Sequence, residues 1–181
     1  MSLDEFTLLG DALWLDFVNT ARGRSPSSPD LLPDIDAFEC WCRLLHLEPE
    51  SEPIPIGAVR GLRDRLTALA EALHAGLQAP AAAIASLNDQ LARSAGTHQL
   101  TRVAGEWRLR FAPGRTPSAL EAIARSAAAT LTEPRTAVRR CAGEQCSLFF
   151  ADDTPTGSRR WCVAEICGRD VRVERRRGLR R

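Results

Sequence analysis

What the chain lacks narrows it first. Lysine and tyrosine are absent, so all 24 strongly basic side chains are arginine. That usage fits a bias in base composition better than selection for phosphate forks, although the guanidinium does bind phosphate bidentately. No apolar run approaches the roughly 18 residues that a membrane-spanning helix needs. The opening Met-Ser-Leu-Asp-Glu-Phe has neither the basic start nor the apolar stretch of a secretory signal. A cytoplasmic protein with reduced thiols is therefore expected, with no membrane partner. There is no nucleophile elbow, no phosphate-binding glycine loop and no cluster of histidines, which argues against an enzyme. His46-Leu47-Glu48 has the His-x-Glu of zinc deaminases, but the Pro-Cys-x-x-Cys partner those enzymes need is missing.

What is present is organised around 141–167. Two Cys-x4-Cys pairs, Cys141 with Cys146 and Cys162 with Cys167, bracket a loop-rich segment. Four thiolates in two close pairs suit Zn2+, which takes tetrahedral sulfur ligands and, with all four positions filled, has no room for a reactive water. The competing readings are buried free thiols, two disulfides in an exported protein, or an iron–sulfur cluster on the same thiolates. Between the pairs, Ser-Leu-Phe-Phe-Ala is β-prone, 152–158 is turn chemistry, and Arg159-Arg160-Trp161 can return as the second strand of a hairpin. A helix is expected after Cys167, ended by Gly178. Knuckle, hairpin and helix around one metal make a treble-clef-like layout. A module of residues 135–181 has too little bulk to rely on its core, and metal binding worth about 10 to 16 kcal/mol would supply the difference.

Charge divides the chain at the same place. Residues 1–134 hold 12 arginines against 17 acids, whereas 135–181 hold 12 against 6. On the expected C-terminal helix, Arg169, Arg172 and Arg176 recur at spacings of three and four, with Arg180 in the same series if the helix continues past Gly178, and make one cationic face with Arg177 beside them. Arg139, Arg140, Arg159 and Arg160 add charge from the knuckle and hairpin. Backbone phosphates attract such a concentration, and DNA is the expected partner. The plainer reading is a solvated surface in which Asp170 and Glu174 pair with neighbouring arginines.

The N-terminal part reads as mostly α with one β-hairpin, so the whole is α+β. A helix is expected over about 11–20, burying Leu13, Phe17 and Trp14, with Asp16 and Asn19 on one face. Those two either bond a neighbouring loop or line a small-molecule pocket. Asp34 or Asp36 can cap a helix to about Leu47; Cys40 and Cys42 there point to different sides and cannot act as a pair. Ala58 to Leu77 carries a 3.6-residue apolar stripe through Val59, Leu62, Leu66, Leu69, Leu73 and Leu77 and is expected to be the central helix. Pro80 starts another, to about Ser94. Residues 99–111 alternate around Ala104-Gly105 and predict a hairpin whose buried face holds Trp107, Leu109 and Phe111. Thr116-Pro117, or Ser118 with Glu121 as a capping box, opens the last helix, and Glu133-Pro134 stops it.

Two stretches carry a resemblance. Cys141-Ala-Gly-Glu-Gln-Cys-Ser-Leu-Phe-Phe-Ala-Asp, then Gly157-Ser-Arg-Arg-Trp-Cys, then Cys167-Gly168 resemble the CGNR zinc finger. Leu15-Asp16-Phe17-Val18-Asn19-Thr20 is similar to the motif near the start of the ABATE domain that usually precedes that finger. The name motif departs here, reading Cys167-Gly168-Arg169-Asp170 where the family has Cys-Gly-Asn-Arg; an Asp in the Arg position would repel a phosphate. The resemblance implies a bacterial transcription regulator with an ABATE-like domain over 1–134, for sensing or partner contact, and a DNA-binding finger over 135–181. A small-molecule effector would fit a sensing domain, and one small finger needs a dimer or further elements to read a sequence. A second reading makes zinc purely structural and sets the arginines against an acidic partner or the chain's own N-terminal domain.

Overall fold

Helix α3 (Ile56–His74) runs through the middle of the protein and supplies its core with Val59, Leu62, Leu66, Leu69 and Ala70. These positions recur at three and four, so one face of the helix is buried along its length. The structure is a computed structural model and describes residues 6, 8–21, 25 and 27–168. Around α3 stand α1 (Leu13–Asn19), α2 (Ile35–Leu44), α4 (Ala81–Ala92) and α5 (Ala119–Thr132). Strands β1 (Gly96–Val103) and β2 (Glu106–Pro113) form one antiparallel hairpin, and β3 (Ala137–Arg140) and β4 (Phe149–Asp152) form another pair. The chain is thus mostly helical, with a four-cysteine cluster at its C-terminal end.

The helix ends follow local chemistry. Asp34 accepts the Ala37 N–H and starts α2. At α5 the Ser118 N–H donates to Glu121 at 3.3 Å, as the capping box requires. Glu121 is buried but not isolated, because Arg115 pairs with it at 2.6 Å and Ser94 donates to it. Helix α3 stops at His74 because Gly76 turns left-handed (φ 68°), so Leu77 leaves the apolar stripe and is exposed. In α1 the fully buried side chains are Trp14, Leu15 and Phe17, whereas Leu13, expected inward, is only half-buried. Phe17 packs with Phe38 and Trp41 of α2 at ring distances of 5.7 to 6.3 Å.

Two expectations are overturned here. The β1–β2 hairpin forms around Ala104-Gly105, but its apolar face is not buried: Trp107 is 68% exposed, Leu109 66% and Phe111 42%. Alternation fixes which side chains share a face but not whether anything covers that face, and no described element does. The second correction concerns β4. Its partner is β3, which precedes the first cysteine, and not the segment after the turn at 152–158. The knuckle at 141–146 itself reverses the chain, so the residues on either side of it pair. Arg159-Arg160-Trp161 returns without forming a strand.

Buried Arg63 was not visible in the apolar stripe of α3. It grips Asp30 through both guanidinium ends, at 2.7 and 2.5 Å, and donates to Thr20. Burial alone would raise the Asp30 carboxyl, but the bonds from Arg63 and Leu32 hold it below the usual carboxylate range. The pair ties Asp30, ahead of α2, to the central helix.

Candidate metal centre and its seat on the helical body

The cysteines come from three short pieces: Cys141 directly after β3, Cys146 at the end of the knuckle, and Cys162 with Cys167 around the helical backbone at 164–168. Gly143 makes the knuckle possible, since a Cβ there would stand 3.1 Å from the Cys167 Cβ and 3.3 Å from that of Cys146. All four residues are buried, and their sulfur atoms lie within 4.8 Å of one another. Cys146 and Cys162 are 3.8 Å apart at sulfur, and Cys162 and Cys167 3.7 Å. A tetrahedron with Zn–S bonds near 2.3 Å has edges of about 3.8 Å. The spacing therefore fits one ion held by four thiolates, and it is far longer than the roughly 2 Å of a disulfide. Cys162 N–H points at the Cys141 sulfur at 3.4 Å, a bond that favours its thiolate.

The Cys141 sulfur accepts hydrogen bonds from Cys146 and Cys162, which holds its thiol low, and donating to it pushes Cys146 and Cys162 up. A divalent ion among the sulfurs would stabilise the thiolates together. With every position filled by sulfur the site is closed, and its role is structural. Leu148 and Phe150 pack beside the cysteines, with Leu9 and Trp161 at the edge. Cys40 and Cys42 take no part: Cys42 is buried in α2, its thiol pushed up to about 12 chiefly by burial.

A second set of contacts fastens this centre to the helices. Asn19 at the end of α1 donates to the Phe149 carbonyl and accepts the Phe149 N–H, both at 2.9 Å and buried. Asp16, one turn earlier, accepts the Gly10 N–H at 2.8 Å, and Gly10 in turn accepts the Ala151 N–H at 2.8 Å. Gly10 must be glycine, because a Cβ would lie 2.8 Å from the Leu15 Cβ and 2.9 Å from the Asp16 nitrogen. Val138, Phe149 and Ala151 join the core of the helical body, while Phe150 faces the cysteines. The hollow beside Asn19 measures about 40 Å3, room for a water or so rather than a metabolite.

The arginines separate into two kinds. Arg159 donates to the Trp161 and Cys162 carbonyls, pairs with Asp11 at 2.5 Å and lies over the Phe150 ring. Arg139 pairs with Asp152 at 2.8 Å and donates to the Gly157 carbonyl. Asp152 is fully buried; burial would raise its carboxyl, but bonds from Thr154, Arg139 and the Arg159 N–H hold it below the usual range. Arg140 and Arg160 are exposed, each with its guanidinium over a neighbouring ring, Phe149 and Trp161. Arg169, Arg172, Arg176 and Arg177 lie outside the described residues.

A helical body carrying a four-cysteine metal centre on its C-terminal strand pair is the architecture of a zinc-finger protein. Comparison with known families agrees. Residues 11–134 match ABATE, described as "Putative stress-induced transcription regulator", and residues 137–180 match the CGNR zinc finger. The chain belongs to the ABATE family, with a CGNR finger at its C-terminal end, and that finger decides for zinc over an iron–sulfur cluster. No curated protein matches it. Among the described residues no helix is long and apolar enough to cross a membrane.

Proposed function

We propose that the protein is a DNA-binding transcriptional regulator of the cytoplasm, not an enzyme, whose zinc finger presents arginines to the phosphate backbone. The observation that carries this reading is the distribution of guanidinium groups around the metal centre. Arg140 and Arg160 are exposed on the finger, and the sequence continues with seven arginines in 169–181. Arg139 and Arg159 hold the finger together, so they act by positioning. Contacts of this kind fix register on a duplex without specifying its sequence. In this reading 1–134 serves sensing or partner contact and 135–181 meets DNA, a division supported by the separate family matches over 11–134 and 137–180. For a small-molecule effector, the cleft of about 520 Å3 between α2 and the 47–54 connector, lined by Ile35, Phe38, Leu47 and Ile54, has the size a ligand needs. The hollow at Asn19 does not. The test is a salt series of duplex binding. Affinity should fall steeply with salt, and Arg160→Ala with Arg172→Ala and Arg176→Ala should weaken it and flatten the dependence. Unchanged affinity in that variant would overturn the proposal.

One observation favours the other reading, in which the basic residues meet the chain's own acidic body. The Arg159 guanidinium pairs with Asp11 of the N-terminal body. Loss of folding stability without loss of duplex affinity on removing exposed arginines would select it.

A further inference from the structure

The β1–β2 hairpin presents one apolar face to solvent. The register sets Leu100 opposite Leu109, Arg102 opposite Trp107 and His98 opposite Phe111. Residues that alternate along a strand share a side, so these six side chains line one face. Leu100, Trp107 and Leu109 are each about two-thirds exposed and Phe111 is 42% exposed. The opposite face carries Gln99, Thr101, Glu106, Arg108 and Arg110, with Val103 as its only large apolar residue. A strand pair with one apolar and one polar face is patterned for burial on a single side.

We propose that this face is a homodimer interface, packed face to face on the same hairpin of a second copy about a two-fold axis near the Leu100–Leu109 pair. Area supports a second copy. Two leucines, a tryptophan and a phenylalanine at these exposures leave on the order of 500 Å2 of side chain open per copy. Doubled, and framed by His98 and Arg102, that reaches the lower end of the roughly 1,200 to 2,000 Å2 of specific interfaces. Charge placement supports it as well. Antiparallel packing sets the Arg102–Trp107 end of one copy over the His98–Phe111 end of the other. The two Arg102 groups then stand apart by about the 13 Å that four residues of strand span. Each Arg102 already lies over its own Trp107 ring, 5.7 Å from the centroid. The chain's own 169–181 segment is a poor occupant by charge: it carries seven arginines against two acids, and the hairpin holds three against one. A two-stranded hairpin is marginal by itself, and a partner supplies what it lacks.

The test is the mass of the full zinc-loaded chain by light scattering across a concentration series, without DNA, so that its outcome is independent of the regulator reading. Twice the monomer mass is expected at micromolar concentration. Trp107→Glu and, separately, Leu109→Glu should each weaken the dimer more than about 100-fold; Arg108→Glu on the opposite face should leave it intact. Far-UV circular dichroism and bound zinc identify which of the two apolar-face variants is folded, and that variant decides. A monomer at all concentrations overturns the proposal, whether the face is then covered by the tail or by nothing. A dimer that survives Glu in the folded variant, or that Arg108→Glu disrupts equally, also overturns it.

Discussion

Asn19 and Phe149, 130 residues apart in the chain, exchange two buried hydrogen bonds of 2.9 Å through one side-chain amide. The amide thus does for β4 what a neighbouring strand would do, satisfying a backbone donor and acceptor together. Asn19→Leu leaves both groups of Phe149 buried and unpaired, at about 1 to 3 kcal/mol each. Chemical denaturation of the zinc-loaded variant should show a loss of about 2 to 6 kcal/mol. Wild-type stability in that variant would show that the two bonds contribute nothing net.

Asp16 gives a pH signature. Its carboxyl is pushed up from 3.8 to about 6, first by burial; the Gly10 bond opposes the rise and Asp11 adds to it. Between about pH 4 and 6 the folded chain holds a proton that the unfolded chain has released. This group's contribution is therefore full below about pH 4, declines as pH rises to 6 and is absent above. Asp16→Asn keeps an oxygen for Gly10 and carries no charge. It should raise stability at pH 7 by about 1 to 2 kcal/mol and leave it unchanged near pH 4. Urea titrations of both chains across this range read the difference, and a constant gap at all pH values would contradict the assignment.

Metal removal should reach beyond the finger. Val138, Phe149 and Ala151 belong to the core of the helical body, so strands released by loss of zinc take part of that core with them. One zinc per chain is expected. Chelation or Cys162→Ser should lower the melting temperature of the whole chain in a single transition rather than melt a small separate unit. Two well-resolved transitions, with the helical one unshifted, would show that the cores are independent.

The two kinds of arginine should part experimentally. Arg159→Ala removes an ion pair, two carbonyl bonds and a ring interaction, and should cost about 2 to 3 kcal/mol of stability. Arg140→Ala with Arg160→Ala should leave stability within about 0.5 kcal/mol. The same pair should reduce the salt slope of duplex binding by about 0.9 for each phosphate that is no longer neutralised. Equal stability losses in the two variants would erase the distinction.

The helices, the first hairpin's turn and the cysteine set were legible because each is written locally. Asp34, Ser118-x-x-Glu121, Ala104-Gly105 and the four cysteines carry their meaning within a few residues. What was not legible depends on partners distant in the chain. Arg63 reads as an exposed helix position until Asp30 is folded against it, and the pairing of β4 with β3 follows from the reversal made by the knuckle, not from the turn that follows it. Trp107, Leu109 and Phe111 show the same limit from the other side, since alternation marks a face without saying what meets it. Asp16 and Asn19 stand out by their shared helix face; their hydrogen-bond partners, Gly10 and Phe149, appear only in three dimensions.

Phe149 and Phe150, adjacent in β4, point to opposite sides, one among the helices and the other among the cysteines. That single peptide step makes the strand a party wall between two rooms. A finger grafted here from an unrelated protein would need to bring the metal ligands and also side chains cut to fit this particular body at 138, 149 and 151. Without them it would coordinate its ion and still sit loose on its foundation.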